Sequence, residues 1–136
     1  MIDRPWLSAY PEGVPAEIDT SGYRSLVGLM QEGFQRFADR PAYSFLGKRL
    51  SFAELDQRSR QLGAYLQSLG LEQGDRVAIM LPNVLQYPIA AAAVLRAGFV
   101  VVNVNPLYTA RELEYQLKDS GAKAIVLIEN FGTVLQ

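Results

Sequence analysis

Three short apolar runs, separated by helix-length segments, constrain this chain more than any other feature. They occupy residues 76–81 (RVAIML), 99–104 (FVVVNV) and 124–128 (AIVLI). A strand solvated on one face alternates apolar with polar residues, whereas a parallel strand covered on both faces reads as a nearly continuous apolar run. The segments between them read as helices. Pro82-Asn83 breaks the first strand, and the next helix runs to about Ala97. Pro88 falls in its first turn, where a missing N–H costs least. Ala90, Ala91, Ala92 and Ala93 suit close packing on a sheet, and Gly98 stops the helix. Asn105-Pro106 breaks the second strand. Thr109 and Glu112 then stand as the two ends of a capping box, with Tyr108 and Leu113 as its hydrophobic staple, and Ser120-Gly121 ends that helix. Strand, helix, strand, helix, strand with short connections predicts parallel strands in one sheet, right-handed crossovers and a layered α/β body.

The first half prepares this unit. Residues 1–22 carry Pro5, Pro11 and Pro15, so an irregular lead-in is expected, with Trp6, Leu7 and Tyr10 apolar enough to dock on the body. From 25 to 37, Leu26, Met30, Phe34 and Phe37 form one helical stripe, ended by Asp39-Arg40-Pro41. Residues 42–46 and 49–52 flank Gly47-Lys48 and predict a hairpin. Ser51 and Glu54 form a second capping box, with Leu50 and Leu55 as staple. The helix that follows sets Leu55, Ser59, Leu62, Leu66 and Leu69 on one face. Gly70 is placed to end it in the left-handed conformation.

Composition mainly excludes. With no Cys and no His, neither disulfides nor Cys/His zinc sites can form, and Ser-His-Asp and Cys-His catalysis are impossible within this chain. Thirteen basic against fourteen acidic residues give a charge of −1, which leaves no electrostatic footprint for nucleic acid. The arginines are scattered and read as solvated surface. Residues 87–102 are the most apolar stretch, but Arg96 and Gly98 interrupt it and it is shorter than the ~20 apolar residues of a membrane span.

Reaction centres are hard to find. Gly28 and Gly33 have phosphate-loop spacing, but Phe34-Gln35 follow where Lys and Ser/Thr are required, and the pair sits inside a helix. They read as helix glycines allowing close packing. No G-x-G-x-x-G occurs. Glu54 and Glu112 read as caps rather than acid/base groups, and Glu112 and Glu114, two apart, do not share a helix face. Asn103, Asn105, Tyr108 and Thr109 cluster where a parallel strand ends, a position that ligands favour.

Several stretches together resemble the adenylate-forming superfamily of acyl-CoA synthetases, luciferases and peptide-synthetase adenylation domains. Leu50-Ser51-Phe52-Ala53-Glu54-Leu55 is similar to its L-[ST]-[YF]-x-E-L motif, and 74–83 to its G-D-x-V-x-x-x-x-x-N segment. Leu95-Arg96-Ala97-Gly98 with Pro106 resembles its L-x-A-G segment. Residues 105–113, with Asp119-Ser120-Gly121-Ala122 and the lead-in Trp6-Leu7 and Tyr10-Pro11, resemble the bacterial long-chain fatty-acid–CoA ligases.

The resemblance implies the N-terminal part of the large domain of such an enzyme: α/β, βαβαβ with parallel strands, preceded by a helix and a hairpin. It divides the chain into a lead-in, 1–22, and an incomplete domain portion, 23–136. The family activates a carboxylic acid with ATP and Mg²⁺ to an acyl-adenylate and pyrophosphate, and CoA then displaces AMP. Its phosphate loop, metal-coordinating acid, adenine motif and lysine-bearing C-terminal domain lie downstream of the matched region. No residue here is therefore a candidate for catalysis, cofactor binding or metal binding, and the chain alone is expected to be inactive, without bound ATP, CoA or Mg²⁺. The resemblance further implies a ligase of fatty acid, ATP and CoA, cytoplasmic, with peripheral association at the inner face of the membrane left open. Self-association of the chain on its own is expected. Two alternatives remain at this stage: an aryl- or medium-chain acid–CoA ligase of the same superfamily, and a non-catalytic binding or assembly module with this fold.

Overall fold

The computed structural model describes residues 4–135; Met1 to Asp3 of the lead-in and Gln136 lie outside the described residues. A 3₁₀ turn over Pro5–Ala9 opens the chain. The elements that follow are α1 (Leu26–Arg36), β1 (Pro41–Phe45), β2 (Lys48–Ser51), α2 (Phe52–Ser68), β3 (Arg76–Met80), α3 (Gln86–Arg96), β4 (Val100–Asn103), α4 (Ala110–Ser120) and β5 (Ala124–Leu127). A second 3₁₀ segment covers Glu129–Leu135.

β3 is the centre of a three-stranded sheet of order β4-β3-β5, parallel to both neighbours, with Val77 opposite Val101 and Ala124. Its side chains point alternately to two cores. Val77, Ile79 and Leu81 join Leu66 of α2 and Ala90 and Val94 of α3. Ala78 and Met80 join Val104 and Leu113 and Leu117 of α4. Residues 77–80 are at most 1% exposed, so the continuous apolar run is a strand covered on both faces. The two helices lie on opposite faces for a geometric reason. The chain moves from β3 outward to β4, then reverses across β3 to reach β5. Crossovers of one hand can reverse direction only by changing face.

Both capping boxes form. Glu54 N–H donates to Ser51 Oγ (3.1 Å) and Ser51 N–H to Glu54 Oε2 (2.9 Å). Glu112 N–H and Thr109 Oγ1 are 3.4 Å apart, and Thr109 N–H donates to Glu112 Oε2 (2.8 Å). Leu50, Leu55 and Leu113 are buried, as their staple positions require. Gly70 and Gly121 take positive φ at the two helix ends.

Five expectations are corrected. The hairpin turn is Leu46-Gly47, one residue earlier than Gly47-Lys48. Phe45 pairs with Lys48, and a two-residue turn of this kind needs positive φ at both central positions, 47° and 75° here. Phe52 starts α2 instead of ending β2, because Ser51 caps the helix. β4 is an edge strand and is not fully covered, with Val100 46% exposed. Gly33 is not a close-packing glycine: a Cβ there would meet nothing within 4 Å, and at Gly28 it would meet only Ser25 Oγ. The close helix contact is at Gly63 of α2, where a Cβ would stand 3.2 Å from the Ala93 carbonyl oxygen of α3. The alanine run divides, with Ala90 in the sheet-side core, Ala92 in the core with Phe34, Leu50 and Leu55, and the Ala93 carbonyl against Gly63 of α2. Last, Trp6, Leu7 and Tyr10 join none of the apolar cores; Trp6 is 52% exposed, and the lead-in is closed on itself by an Arg4–Glu17 ion pair.

Candidate functional site at the carboxyl edge of the sheet

The carboxyl ends of β3 and β4 open onto the loops 81–85 and 104–109, with the start of α3 beside them. Asn103, the last residue of β4, is held twice. Tyr87 Oη donates to its Oδ1 at 2.8 Å, and Gln116 Nε2 donates to its carbonyl oxygen at 2.8 Å. Tyr87 sits in the first turn of α3 and Gln116 in the middle of α4, so one residue ties together helices from opposite faces. Gln116 Oε1 is buried without a partner among the described residues.

The other members of the predicted cluster serve the backbone. Asn105 Oδ1 accepts from Leu107 N–H at 3.0 Å and shapes the turn out of β4. Thr109 caps α4. Tyr108 is half-buried in the α4 core. The structure thus brings Asn103, Asn105, Tyr108 and Thr109 together at the end of β4, and the side-chain oxygens of Asn103, Asn105 and Thr109 serve to hold the chain there. Tyr87 and Gln116 were missed from the sequence. One lay in an apolar run and the other on a polar helix face, and neither position signals a partner thirteen or sixteen residues away.

Two depressions flank this edge. An open one of about 430 Å³ on the outer side of α4 is lined by Tyr108, Arg111, Glu112, Tyr115, Gln116 and Asp119. Another of about 280 Å³ lies between the hairpin and the loop after β3, lined by Phe45, Asn83, Leu85 and Tyr87 among others. At the first depression the Glu112 carboxylate has its pKa lowered by the Thr109 backbone N–H and then by its hydroxyl. Glu54 is lowered in the same way by Ser51. Such carboxylates stay ionised and hydrogen-bonded at neutral pH, which suits a cap and not a general acid. Among the described residues no three acidic side chains converge on a point.

The most buried charge lies elsewhere. Arg96 at the end of α3, 9% exposed, donates to the Asp56 carbonyl (2.7 Å), Ser59 Oγ (2.9 Å) and Asp56 Oδ1 (2.6 Å). Its guanidinium also sits 5.6 Å from the Phe34 ring centroid. This corrects the reading of the arginines as uniformly solvated: Arg96 joins α1, α2 and α3. For Asp56, burial pushes the carboxyl pKa up, but hydrogen bonds and charge from Arg60 and Arg96 outweigh it and hold the pKa below the usual range.

A parallel sheet with helices on both faces, reversing direction about its central strand, defines a doubly wound α/β protein. The sequence model of the family described as "AMP-binding enzyme" matches residues 30–134, and the chain belongs to that family. It is 55% identical over 136 residues to a long-chain-fatty-acid–CoA ligase of Yersinia pestis, covering 99% of this chain and 24% of that protein. A ligase of the same name from Bacillus subtilis (strain 168) is 43% identical over 126 residues, 93% of this chain and 22% of that protein. Among solved structures, a benzoate CoA ligase from Burkholderia xenovorans LB400 matches with TM-score 0.76 and 24% identity, over 80% of this chain and 22% of that one. That likeness shows the shared fold. The chain spans about a quarter of the length of the curated relatives it matches.

Proposed function

We propose that this chain is the N-terminal portion of a long-chain fatty-acid–CoA ligase, with 23–136 an incomplete part of its large domain. The observation that carries the reading is 55% identity sustained over nearly the whole chain to a protein of that name. The complete enzyme would join fatty acid and CoA at the expense of ATP, through an acyl-adenylate formed with Mg²⁺. Charge developing on transferring phosphates needs a metal and aimed donors. Ser51, Glu54, Asn105, Thr109 and Glu112 are committed to caps and turns and Tyr87 to the Asn103 clasp, which supports a scaffold role for this segment with the chemistry in the remainder. Among the described residues no helix is long and apolar enough to cross a membrane. The enzyme is placed in the cytoplasm, with peripheral membrane contact as the finer proposal.

Isolated, the chain is expected to self-associate. An apolar groove of about 390 Å³ runs between α1 and α3, and Leu26 (56% exposed), Leu29 and Tyr43 line it. Contiguous exposed apolar surface of this kind drives association. Light scattering checks this, and a strictly monomeric chain at all concentrations refutes it.

The test of function is to translate the reading frame beyond residue 136 and assay the whole product with ATP, Mg²⁺, CoA and palmitate, octanoate or benzoate. Thioester formation favouring palmitate is expected, with no pyrophosphate release by residues 1–136 alone. Preference for benzoate or octanoate selects the aryl- or medium-chain alternative. A frame that stops at residue 136 selects the non-catalytic module.

A further inference from the structure

The hairpin of β1 and β2 carries apolar side chains where nothing on the chain covers them. Leu50, near its base, is 1% exposed, but every residue from Tyr43 to Arg49 is exposed. Gly47 lies three residues from Leu50 along extended chain, so the turn stands roughly 10 Å out from the core. The tip is Phe45-Leu46, 40% and 86% exposed. Leu46 also holds φ 47°, a conformation that leucine resists and that Asn takes with less strain. Strain carried by an uncovered side chain does nothing for this fold and calls for a contact beyond it.

The surroundings of the tip are basic. From Arg40 to Ala53 the chain holds Arg40, Lys48 and Arg49 and no acidic residue, within a protein of net charge −1. Lys48 stands opposite Phe45 and Arg49 opposite Ser44, so both flank the apolar tip. Among the described residues neither enters an ion pair. An apolar tip collared by free cations suits an anionic lipid surface, where the side chains enter the headgroup boundary and the cations meet the phosphates. A protein partner is a poorer match. A stable protein interface buries on the order of 800 Å² per partner, and two side chains at the end of a narrow hairpin offer far less. The place in the fold also fits. A depression of about 280 Å³ between the hairpin and the loop after β3 sets Phe45 beside Asn83 and Tyr87. The tip is thus adjacent to the carboxyl edge of the sheet, which ligands favour.

We propose that the Phe45-Leu46 tip is a reversible anchor that dips into the surface of an anionic phospholipid bilayer, with Lys48 and Arg49 on the headgroup phosphates. This deepens the peripheral membrane contact proposed above for the complete ligase and rests on that reading; the fatty acid such an enzyme would take itself dissolves in bilayers. Three basic residues are fewer than the roughly four to eight of a polybasic segment, so the contact is transient and weakened by salt.

Cosedimentation of the whole product of the reading frame with vesicles tests it. Vesicles of phosphatidylglycerol and phosphatidylethanolamine are expected to retain the protein, and vesicles of phosphatidylcholine alone to retain it weakly. Leu46→Asn should lower partitioning onto the anionic vesicles roughly tenfold, the contribution of one buried leucine side chain. Lys48→Gln and Arg49→Gln should each lower it about fivefold and change nothing on phosphatidylcholine. Tyr115→Ser, which removes a side chain 73% exposed on α4, should leave it unchanged. A parent protein that ignores anionic vesicles, Leu46→Asn binding like the parent, or an equal loss in Tyr115→Ser each overturns the proposal. The melting midpoint separates a lipid from a protein partner. Leu46→Asn relieves strain and should raise the midpoint of the whole product. A lowered midpoint means that other polypeptide covers the tip, which also overturns the proposal. Acyl-CoA formation is assayed in parallel with palmitate dispersed in detergent. Vesicle retention without thioester would refute the ligase reading and leave the anchor standing; thioester formed by a protein that ignores vesicles would do the reverse.

Discussion

The two faces of the sheet are packed by different means. On one face α2 and α3 lie against each other at Gly63, pinned by Arg96 to Asp56 and Ser59. On the other, α4 and the short Glu129–Leu135 segment share the cover, and α4 presents Tyr115, 73% exposed, to solvent. The first face is covered by two helices and locked by a buried charge. The second is one helix deep and held by apolar contact. The difference teaches that a strand can be equally buried on both sides while its two surroundings differ in their freedom to relax.

Neighbouring residues of β3 provide the sharpest test. Ile79, 1% exposed, faces the locked side, and Met80, 0% exposed, faces α4. Ile79→Ala is expected to cost about 4 kcal/mol and Met80→Ala about 2 kcal/mol, since the cost of a cavity depends on how well its walls collapse. Equal losses in denaturant titrations would break the comparison.

Arg96→Met comes next, at about 3 kcal/mol, because it strips Asp56 and Ser59 of a buried partner. The pH dependence carries the signature. The folded-state pKa of Asp56 is depressed, so its contribution is present above the ordinary carboxylate pKa of ~3.9 and is lost as pH falls through the lower folded value. The substituted chain should lose less stability over that acid window than the parent. An unchanged acid limb would remove Arg96 as the cause.

The caps should cost about 1 kcal/mol each, in Ser51→Ala and Thr109→Ala. Ser51 starts a helix on the locked face, Thr109 the helix of the other. Their equality would show that capping is local and indifferent to what lies beneath. Smallest is a gain. Leu46 holds φ 47° while 86% exposed, so it bears left-handed strain without burying its side chain. Leu46→Asn should stabilise by about 0.5–1 kcal/mol, read as a raised melting midpoint.

Legibility followed the range of the interaction. Both capping boxes, the glycine stops at Gly70, Gly98 and Gly121 and the order of strands along the chain could be read because each is decided within a few residues. The hairpin turn slipped by one position because left-handed leucine is rare and sequence offers glycine as the obvious candidate. Arg96 was visible only as an interruption in an apolar run, since its partners lie 37 and 40 residues away. Gly63 was hidden for the same reason: nothing near it in the chain announces the Ala93 carbonyl. At the carboxyl edge, the cluster of Asn103 to Thr109 was found by position, but not the hydroxyl and amide that grip Asn103 from either side.

That grip makes the end of β4 a mechanical rivet. A rocking motion of α3 pulls on the Asn103 side chain through Tyr87, while Gln116 holds the same residue's carbonyl to α4. The strand end cannot follow one helix without straining its bond to the other. Any force that reaches either layer is therefore shared by both, and the three layers move at this edge as one plate.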